Sequence, residues 1–248
     1  IGMPADIDSF RELCEKHSLK LIEDAACAAG SVYKGNKIGS HSGLVCFSFH
    51  PRKVITTGEG GMITTSNEEY YSRLKLLRQH GMRFNSRERH TAAQVISEEH
   101  AEIGYNYRMT DFQGAIGIRQ LEKLDYIIDE RRKIALKYID ELGEIKCLRM
   151  PVEHEGFISN YQSFSIYLKE DCPISRDELM QKLLDRGIVT RKGVMTIHRD
   201  LPYRSEYSEI RLPVSEDACD RSILIPLYIP MSEKETDHVI SNLRDLIT

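Results

Sequence analysis

Val45-Cys46-Phe47-Ser48-Phe49-His50-Pro51-Arg52-Lys53, followed by Thr57-Gly58-Glu59-Gly60-Gly61, is the stretch that decides how the rest of this chain is read. Residues 45–49 are an apolar run of strand length ahead of Pro51, which predicts a buried strand. Ser48 and Lys53 fall at and just past its end, where a hydroxyl and an ammonium can share an anionic ligand. A lysine amine also condenses with carbonyl compounds once it is deprotonated. Taken alone, Lys53 reads as one more surface lysine. The glycines do not spell G-x-G-x-x-G, and no G-x-x-x-x-G-K-[ST] occurs anywhere, which speaks against a dinucleotide site or a P-loop. They suit a tight backbone path beside Lys53.

Working outward, residues 5–18 carry Ile7, Phe10, Leu13 and Cys14 at helical spacing. Leu19 to Asp24 reads as a short strand ending in two acids, and the small residues Ala25, Ala26, Ala28, Ala29 and Gly30 follow. Helix, strand and small-residue turn in that order is the rhythm of an α/β sheet. Val54–Thr57 and Met62–Thr65 flank the glycines and predict a hairpin or a tight strand reversal. Residues 68–80 read as helix and 82–103 as polar loop. Thr110-Asp111-Phe112-Gln113 is a capping-box pattern. It opens the longest periodic stretch, in which Phe112, Ala115, Ile116, Leu121, Leu124, Ile127, Ile128, Ala135, Tyr138, Ile139 and Leu142 return to one side. A helix or helix pair of that length suits a bridge between a larger and a smaller domain.

Beyond about residue 145 the texture changes. Residues 161–168 alternate like a strand, 175–186 read as helix, 188–190 as short β, 222–228 as strand and 232–247 as a closing helix. The expected architecture is an α/β large-domain portion over residues 1–138 and a small α+β domain over 139–248. The chain opens Ile1-Gly2-Met3-Pro4 and enters a helical pattern almost at once, so a preceding segment is expected.

A net charge of -4 gives no basic field to attract nucleic acid or an anionic membrane. There is no apolar run of membrane-spanning length and no signal-peptide pattern. None of the six cysteines forms a CxxC pair and no histidine pair has zinc-like spacing, so no metal is expected. Free thiols in a cytoplasmic protein are the plain expectation.

Two further clusters could carry chemistry. Glu23-Asp24-Ala25-Ala26 lies at a strand's C-terminal end, the edge at which open α/β sheets hold ligands. An acid there can hold a cation or a protonated ring nitrogen, although a lone Asp reads more simply as part of a solvated acidic turn. In Gly104-Tyr105-Asn106-Tyr107-Arg108, Asn106 could donate its amide to a phosphate and Arg108 could pair with one. The same residues would also make an ordinary turn.

In combination and order these three blocks resemble the DegT/StrS-type sugar aminotransferases, a branch of the fold-type-I pyridoxal-phosphate enzymes. The resemblance runs over essentially the whole chain. It rests on Ile22-Glu23-Asp24-Ala25-Ala26, on the Phe47-to-Lys53 block with Thr57-Gly58-Glu59-Gly60-Gly61, and on Gly104 to Asp111. It implies that Asp24 pairs with the pyridinium nitrogen, that Ser48 binds the cofactor phosphate and that Lys53 is the catalytic lysine carrying the cofactor. It also implies a homodimer with shared sites, in which Asn106 reaches the phosphate bound by the neighbouring subunit. Cys27 stands where the family usually has His or Gln bonding the cofactor's 3-hydroxyl, and a thiol supplies only a weak donor there. Family members carry roughly a hundred or more further residues before this point, well beyond the length of a loop. Those residues hold another phosphate-binding turn and the aromatic that stacks on the ring.

The stretch Thr190 to Met195 with Ile197-His198-Arg199 resembles the substrate-facing segment of perosamine-synthase-like members. Arg191, Lys192 and His198 would then face a sugar nucleotide's diphosphate; a solvated basic loop is the equal alternative. The function implied is amino transfer from an amino acid, glutamate by expectation, to a keto-sugar nucleotide. Two rivals stand beside it. Related deoxysugar dehydratases use the same cofactor but have histidine in place of the lysine, and a catalytically silent homologue or fragment would bind no cofactor.

Overall fold

The computed structural model describes residues 1–83 and 99–247. Residues 84–98 of the expected 82–103 loop lie outside the described residues. The chain divides into two compact units, Pro4–Leu124 and Asp125–Thr248, with Ile1–Met3 belonging to the second.

In the first unit, α1 (Ile7–Lys16) begins at Asp6, whose carboxylate accepts the Ser9 N–H at 3.4 Å. That bond satisfies one of the donors a helix start leaves open. Asp6 also accepts the Tyr33 hydroxyl at 2.8 Å, tying α1 to the hairpin of β2 (Val32–Tyr33) and β3 (Asn36–Lys37). The central sheet is mixed. β1 (Glu23–Asp24) runs parallel to β4 (Val45–Ser48), which pairs antiparallel with β5 (Gly61–Thr64). Helix α2 (Glu68–Leu77) is capped by Asn67, and α3 (Asp111–Leu121) starts with the expected capping box between Thr110 and Gln113.

Two local expectations are corrected here, and the long periodic stretch takes one of its two expected forms. Only Glu23–Asp24 of the 19–24 run enters the ladder. Val54–Thr57 is not a strand: β5 reverses onto β4 itself, while residues 49–60 fold around Phe49 with Val54, Ile55 and Thr57 buried. The long periodic stretch is a helix pair, α3 and α4 (Leu124–Leu142), and its apolar stripe is not buried throughout. Phe112 of α3 is 86% exposed, whereas Ala135, Tyr138 and Leu142 of α4 are fully buried.

The second unit is built on an antiparallel sheet of order β6-β8-β10-β9: β6 (Leu148–Arg149), β8 (Phe164–Leu168), β10 (Ser222–Ile225) and β9 (Arg191–Lys192). A further short strand, β7 (Phe157–Ile158), precedes β8. Phe164, Ile166 and Leu168 alternate onto one face, as period-2 strand geometry requires. They join Leu179 and Leu183 of α5 (Arg176–Asp185), Val239 and Leu243 of α8 (Glu233–Ile247), and Tyr138 and Leu142 of α4 in one core. Each fully buried aliphatic side chain of this kind contributes about 1.5–3 kcal/mol. Between β9 and β10 the chain makes a 3-10 turn (Ile197–Arg199), α6 (Leu201–Arg204) and α7 (Pro213–Arg221).

The buried face of α4 belongs to this core, and the compact units divide between Leu124 and Asp125. The strand expected from 161 starts only at Phe164. Tyr161 takes a left-handed φ of 46°, and its carbonyl and that of Gln162 accept the buried Arg131 guanidinium at 2.9 and 2.6 Å. Arg131 also donates to the Leu227 carbonyl at 3.2 Å, and burial pushes its pKa down to about 10. The short β expected at 188–190 lies at Arg191–Lys192 instead, since Ile188 is a core residue just past the end of α5. No helix of the described residues is long and apolar enough to cross a membrane.

Candidate active site

Parallel pairing of β1 and β4 puts the C-terminal ends of both strands at one sheet edge, and that edge carries the chemistry. Asp24 closes β1 in register with Cys46, and Ser48 closes β4 two residues further on. The Asp24 carboxylate accepts the Ala26 N–H at 3.0 Å, a turn that bends the chain after the strand and brings Cys27 round. After β4, the Ser48 hydroxyl oxygen accepts the His50 N–H at 3.3 Å, and the Lys53 N–H donates to the His50 carbonyl at 2.9 Å. This short turn delivers the Lys53 ammonium to the Cys27 sulfur, to which it donates at 3.1 Å. Lys53 and Cys27 are therefore in contact, with Asp24 and Ser48 at the strand ends that launch their two turns. Burial, with the Asp24 carboxylate beside it, pushes the Cys46 thiol up.

The loop that follows Lys53 is tied down on every side. The Phe49 carbonyl accepts both the Thr57 N–H at 3.1 Å and the Thr56 hydroxyl at 2.8 Å. Thr57 donates its hydroxyl to the Glu59 carbonyl at 2.7 Å, and a Cβ on Gly60 would stand 2.5 Å from that hydroxyl. Only glycine fits, and it holds a φ of 154° there. Helix α3 supplies two further anchors that local sequence pattern does not reveal. Gln113 donates to the Glu59 carbonyl at 2.8 Å, and Gln120 accepts the Thr56 N–H at 3.3 Å. Gln113 was legible as a capping residue, but nothing near Gln120 signals a partner 64 residues away. An apolar cavity of about 230 Å³ lies between this loop and α3, lined by Phe49, Ile55, Met62, Met109, Ile118 and Leu121.

Asn106 is exposed, on a segment laced to the end of α2. The Tyr105 N–H donates to Leu77, the His80 N–H to Tyr105 and the Tyr107 N–H to Arg78. Gly81 and Gly104 cross so closely that a Cβ on Gly104 would collide with the Gly81 backbone. The rings of Tyr105 and Tyr107 stack at 5.0 Å, and Asn106 sits between them in sequence.

The other three expected residues belong to the second unit. Arg191 and Lys192 are exposed neighbours on β9, so alternation turns their side chains to opposite faces of the sheet. His198 is largely buried, with Nε2 2.9 Å from Glu216. Arg199 grips Glu216 at 2.7 Å and Asp220 at 2.9 Å. Glu216 also accepts the Leu212 N–H at 2.8 Å, and that bond, followed by His198 and Arg199, holds its carboxyl down at about 2. His198 is thus engaged in an internal hydrogen-bond network with Glu216.

The chain matches solved aminotransferases, a sugar aminotransferase from Micromonospora echinospora among them, over 98% of its length. It matches DesV from S. venezuelae, solved in complex with a ketimine intermediate, at 29% identity and a TM-score of 0.86. It matches PseC from Helicobacter pylori, an aminotransferase involved in the biosynthesis of pseudoaminic acid, at 25% and 0.87. An aminotransferase from Psychrobacter cryohalolentis matches at 26% and 0.89. Each comparison covers 98% of this chain but only 62%, 64% and 65% of the respective relative, so the chain spans less than two thirds of their length. The fold class is therefore the one that the motif blocks implied, a partial fold-type-I α/β large domain with a smaller C-terminal α+β part. The profile of the DegT/DnrJ/EryC1/StrS aminotransferase family matches residues 1–244, and the chain belongs to that family.

Proposed function

We propose that this chain acts in a pyridoxal-phosphate-dependent aminotransferase that moves an amino group from an amino acid, with glutamate as donor, to a keto-sugar nucleotide. The observation that carries it is the sheet edge on which Asp24, Ser48 and the Lys53–Cys27 pair converge. These residues fit the cofactor. An amine for its aldehyde, a carboxylate for its ring nitrogen and a hydroxyl for its phosphate all follow the C-terminal ends of two adjacent parallel strands.

Pyridoxal phosphate, when bound, supplies a ring that accepts the electron pair left at the donor's Cα. Asp24 would hold the proton on the ring nitrogen, since an adjacent carboxylate favours the charged form. Lys53 would carry the cofactor and, once its amine is released, take the proton from Cα and return it at C4′. A base on so short a tether has a high effective concentration, so its position supplies much of the rate. The anchors on Phe49, Glu59 and Thr56 would keep the lysine loop in place. Ser48 would donate to the cofactor phosphate, and Cys27 would face the 3-hydroxyl as a weak partner. Asn106 would serve the phosphate of a neighbouring subunit in a homodimer. Since Arg191 and Lys192 alternate to opposite faces of β9, one of them would offer charge to the substrate diphosphate, while the contact with Glu216 argues against such a role for His198.

A dehydratase reading is disfavoured by the presence of lysine at position 53. Borohydride reduction of the purified protein loaded with pyridoxal phosphate, followed by peptide mapping, tests the proposal. The cofactor should be fixed on Lys53. A label on Lys34 or Lys192, or no retained cofactor absorbance, would overturn it. Lys34 is the natural control: its bond to Asp8 at 2.6 Å pushes its pKa up to about 12, which keeps the amine protonated and unreactive.

A further inference from the structure

The sulfurs of Cys147 and Cys172 lie 3.2 Å apart in the second unit, although the two residues are 25 positions apart in sequence. Backbone hydrogen bonds fix this approach. The Cys147 carbonyl accepts the Lys169 N–H at 2.8 Å, extending the pairing of β6 with β8 by one step. The Cys172 N–H then donates to the Lys169 carbonyl at 3.1 Å, which folds the turn back over the end of the ladder. The Lys169 ammonium closes the same corner on the Lys146 carbonyl at 2.5 Å. Main-chain bonds therefore position both cysteines, and their sulfurs, 3.2 Å apart, have to close to the ~2.05 Å of a disulfide.

We infer that Cys147 and Cys172 form a redox modification site, a dithiol that closes to an intramolecular disulfide with a small disulfide such as oxidised glutathione as the oxidant. The two thiols divide the work by exposure. Cys172 is the more exposed of the two and meets the oxidant first, whereas Cys147 is only 8% exposed. The Cys172 thiolate attacks one glutathione sulfur, forming a mixed disulfide and releasing the first glutathione. The Cys147 sulfur then attacks the Cys172 sulfur, forming the internal bond and releasing the second. Two protein thiols are oxidised, one glutathione disulfide is reduced, and the two thiol protons leave on the two glutathione molecules. Burial and the neighbouring Cys172 push the Cys147 thiol up to about 11, consistent with its acting second and only within the pair. Nothing in this step involves Lys53 or Cys27, so the site stands whatever reaction the protein catalyses.

The test is thiol counting and peptide mapping on the intact protein after incubation with oxidised glutathione. Titration under denaturing conditions should fall from six thiols per chain to four. Proteolysis without reductant should give one peptide pair joined through Cys147 and Cys172, separated again by dithiothreitol. Cys147→Ser should instead accumulate a stable glutathione adduct on Cys172. A wild-type protein that keeps all six thiols, halts at five with glutathione on Cys172, or links other cysteines would overturn the inference. The wild-type mapping decides the question even if the Cys147→Ser variant folds poorly.

Discussion

Lys53 donates its ammonium to the Cys27 sulfur across 3.1 Å, joining the turn after β4 to the turn after β1. The contact exists because β1 and β4 are parallel neighbours whose chains both bend at the same edge. Sulfur is a weak hydrogen-bond partner, so this contact positions the lysine without a strong bond. Removing a bond of this class costs about 0.5–1.5 kcal/mol. Cys27→Ala should therefore lower the single-turnover rate with glutamate by no more than about tenfold, whereas Lys53→Ala should abolish turnover. A loss through Cys27→Ala as deep as that through Lys53→Ala would show that the sulfur takes part in the chemistry.

Asp24→Asn should retain the cofactor and greatly slow amino transfer. The substitution keeps the shape that caps the turn at Ala26 but removes the negative charge expected to hold the ring nitrogen protonated. Single-turnover kinetics with glutamate and the absorbance of bound cofactor separate the two effects. A near wild-type rate in the variant would remove Asp24 from the ring nitrogen.

Asn106→Ala should weaken cofactor retention without unfolding the protein, because the side chain is exposed and its segment is held by backbone bonds to Leu77 and Arg78. A hydrogen bond to a charged phosphate is worth about 1.5–3 kcal/mol. Mixing inactive Lys53→Ala chains with inactive Asn106→Ala chains should restore part of the activity, since a shared-site heterodimer holds one intact site. Demonstrated heterodimers without recovery would place Asn106 in its own subunit's site or in a structural role.

Acid should loosen the second unit through Glu216. Its carboxyl sits at about 2 in the folded protein against an ordinary 4.5, first through the Leu212 N–H and then through His198 and Arg199. The stabilisation is complete above pH 4.5 and is lost as pH falls from there through about 2. Urea midpoints measured across that window should fall less steeply for Glu216→Gln than for the wild type. Parallel slopes would mean that the network does not hold Glu216 ionised.

Sequence by itself determined the elements that depend on local chemistry. The capping box at Thr110 and Gln113, the alternation of Phe164, Ile166 and Leu168, and the strand ending at Ser48 all arise from residues within a few positions of one another. Sequence also singled out Asp24, Ser48 and Lys53, through the combination and order of the motif blocks in which they stand at or just past strand ends. What only the tertiary structure decided depends on which elements become neighbours. Parallel pairing of β1 with β4 brings Cys27 to Lys53, and α3 anchors the lysine loop through Gln113 and Gln120. The corner after β8 likewise sets Cys172 against Cys147. Periodicity gave Phe112 and Leu142 the same apolar stripe, yet only Leu142 is buried, because periodicity records which side of a helix is apolar and packing decides what covers it. His198 looked like a free basic group until Glu216, 18 residues away, was folded against it. A charge's role is set by its neighbours in space, and those come from the fold.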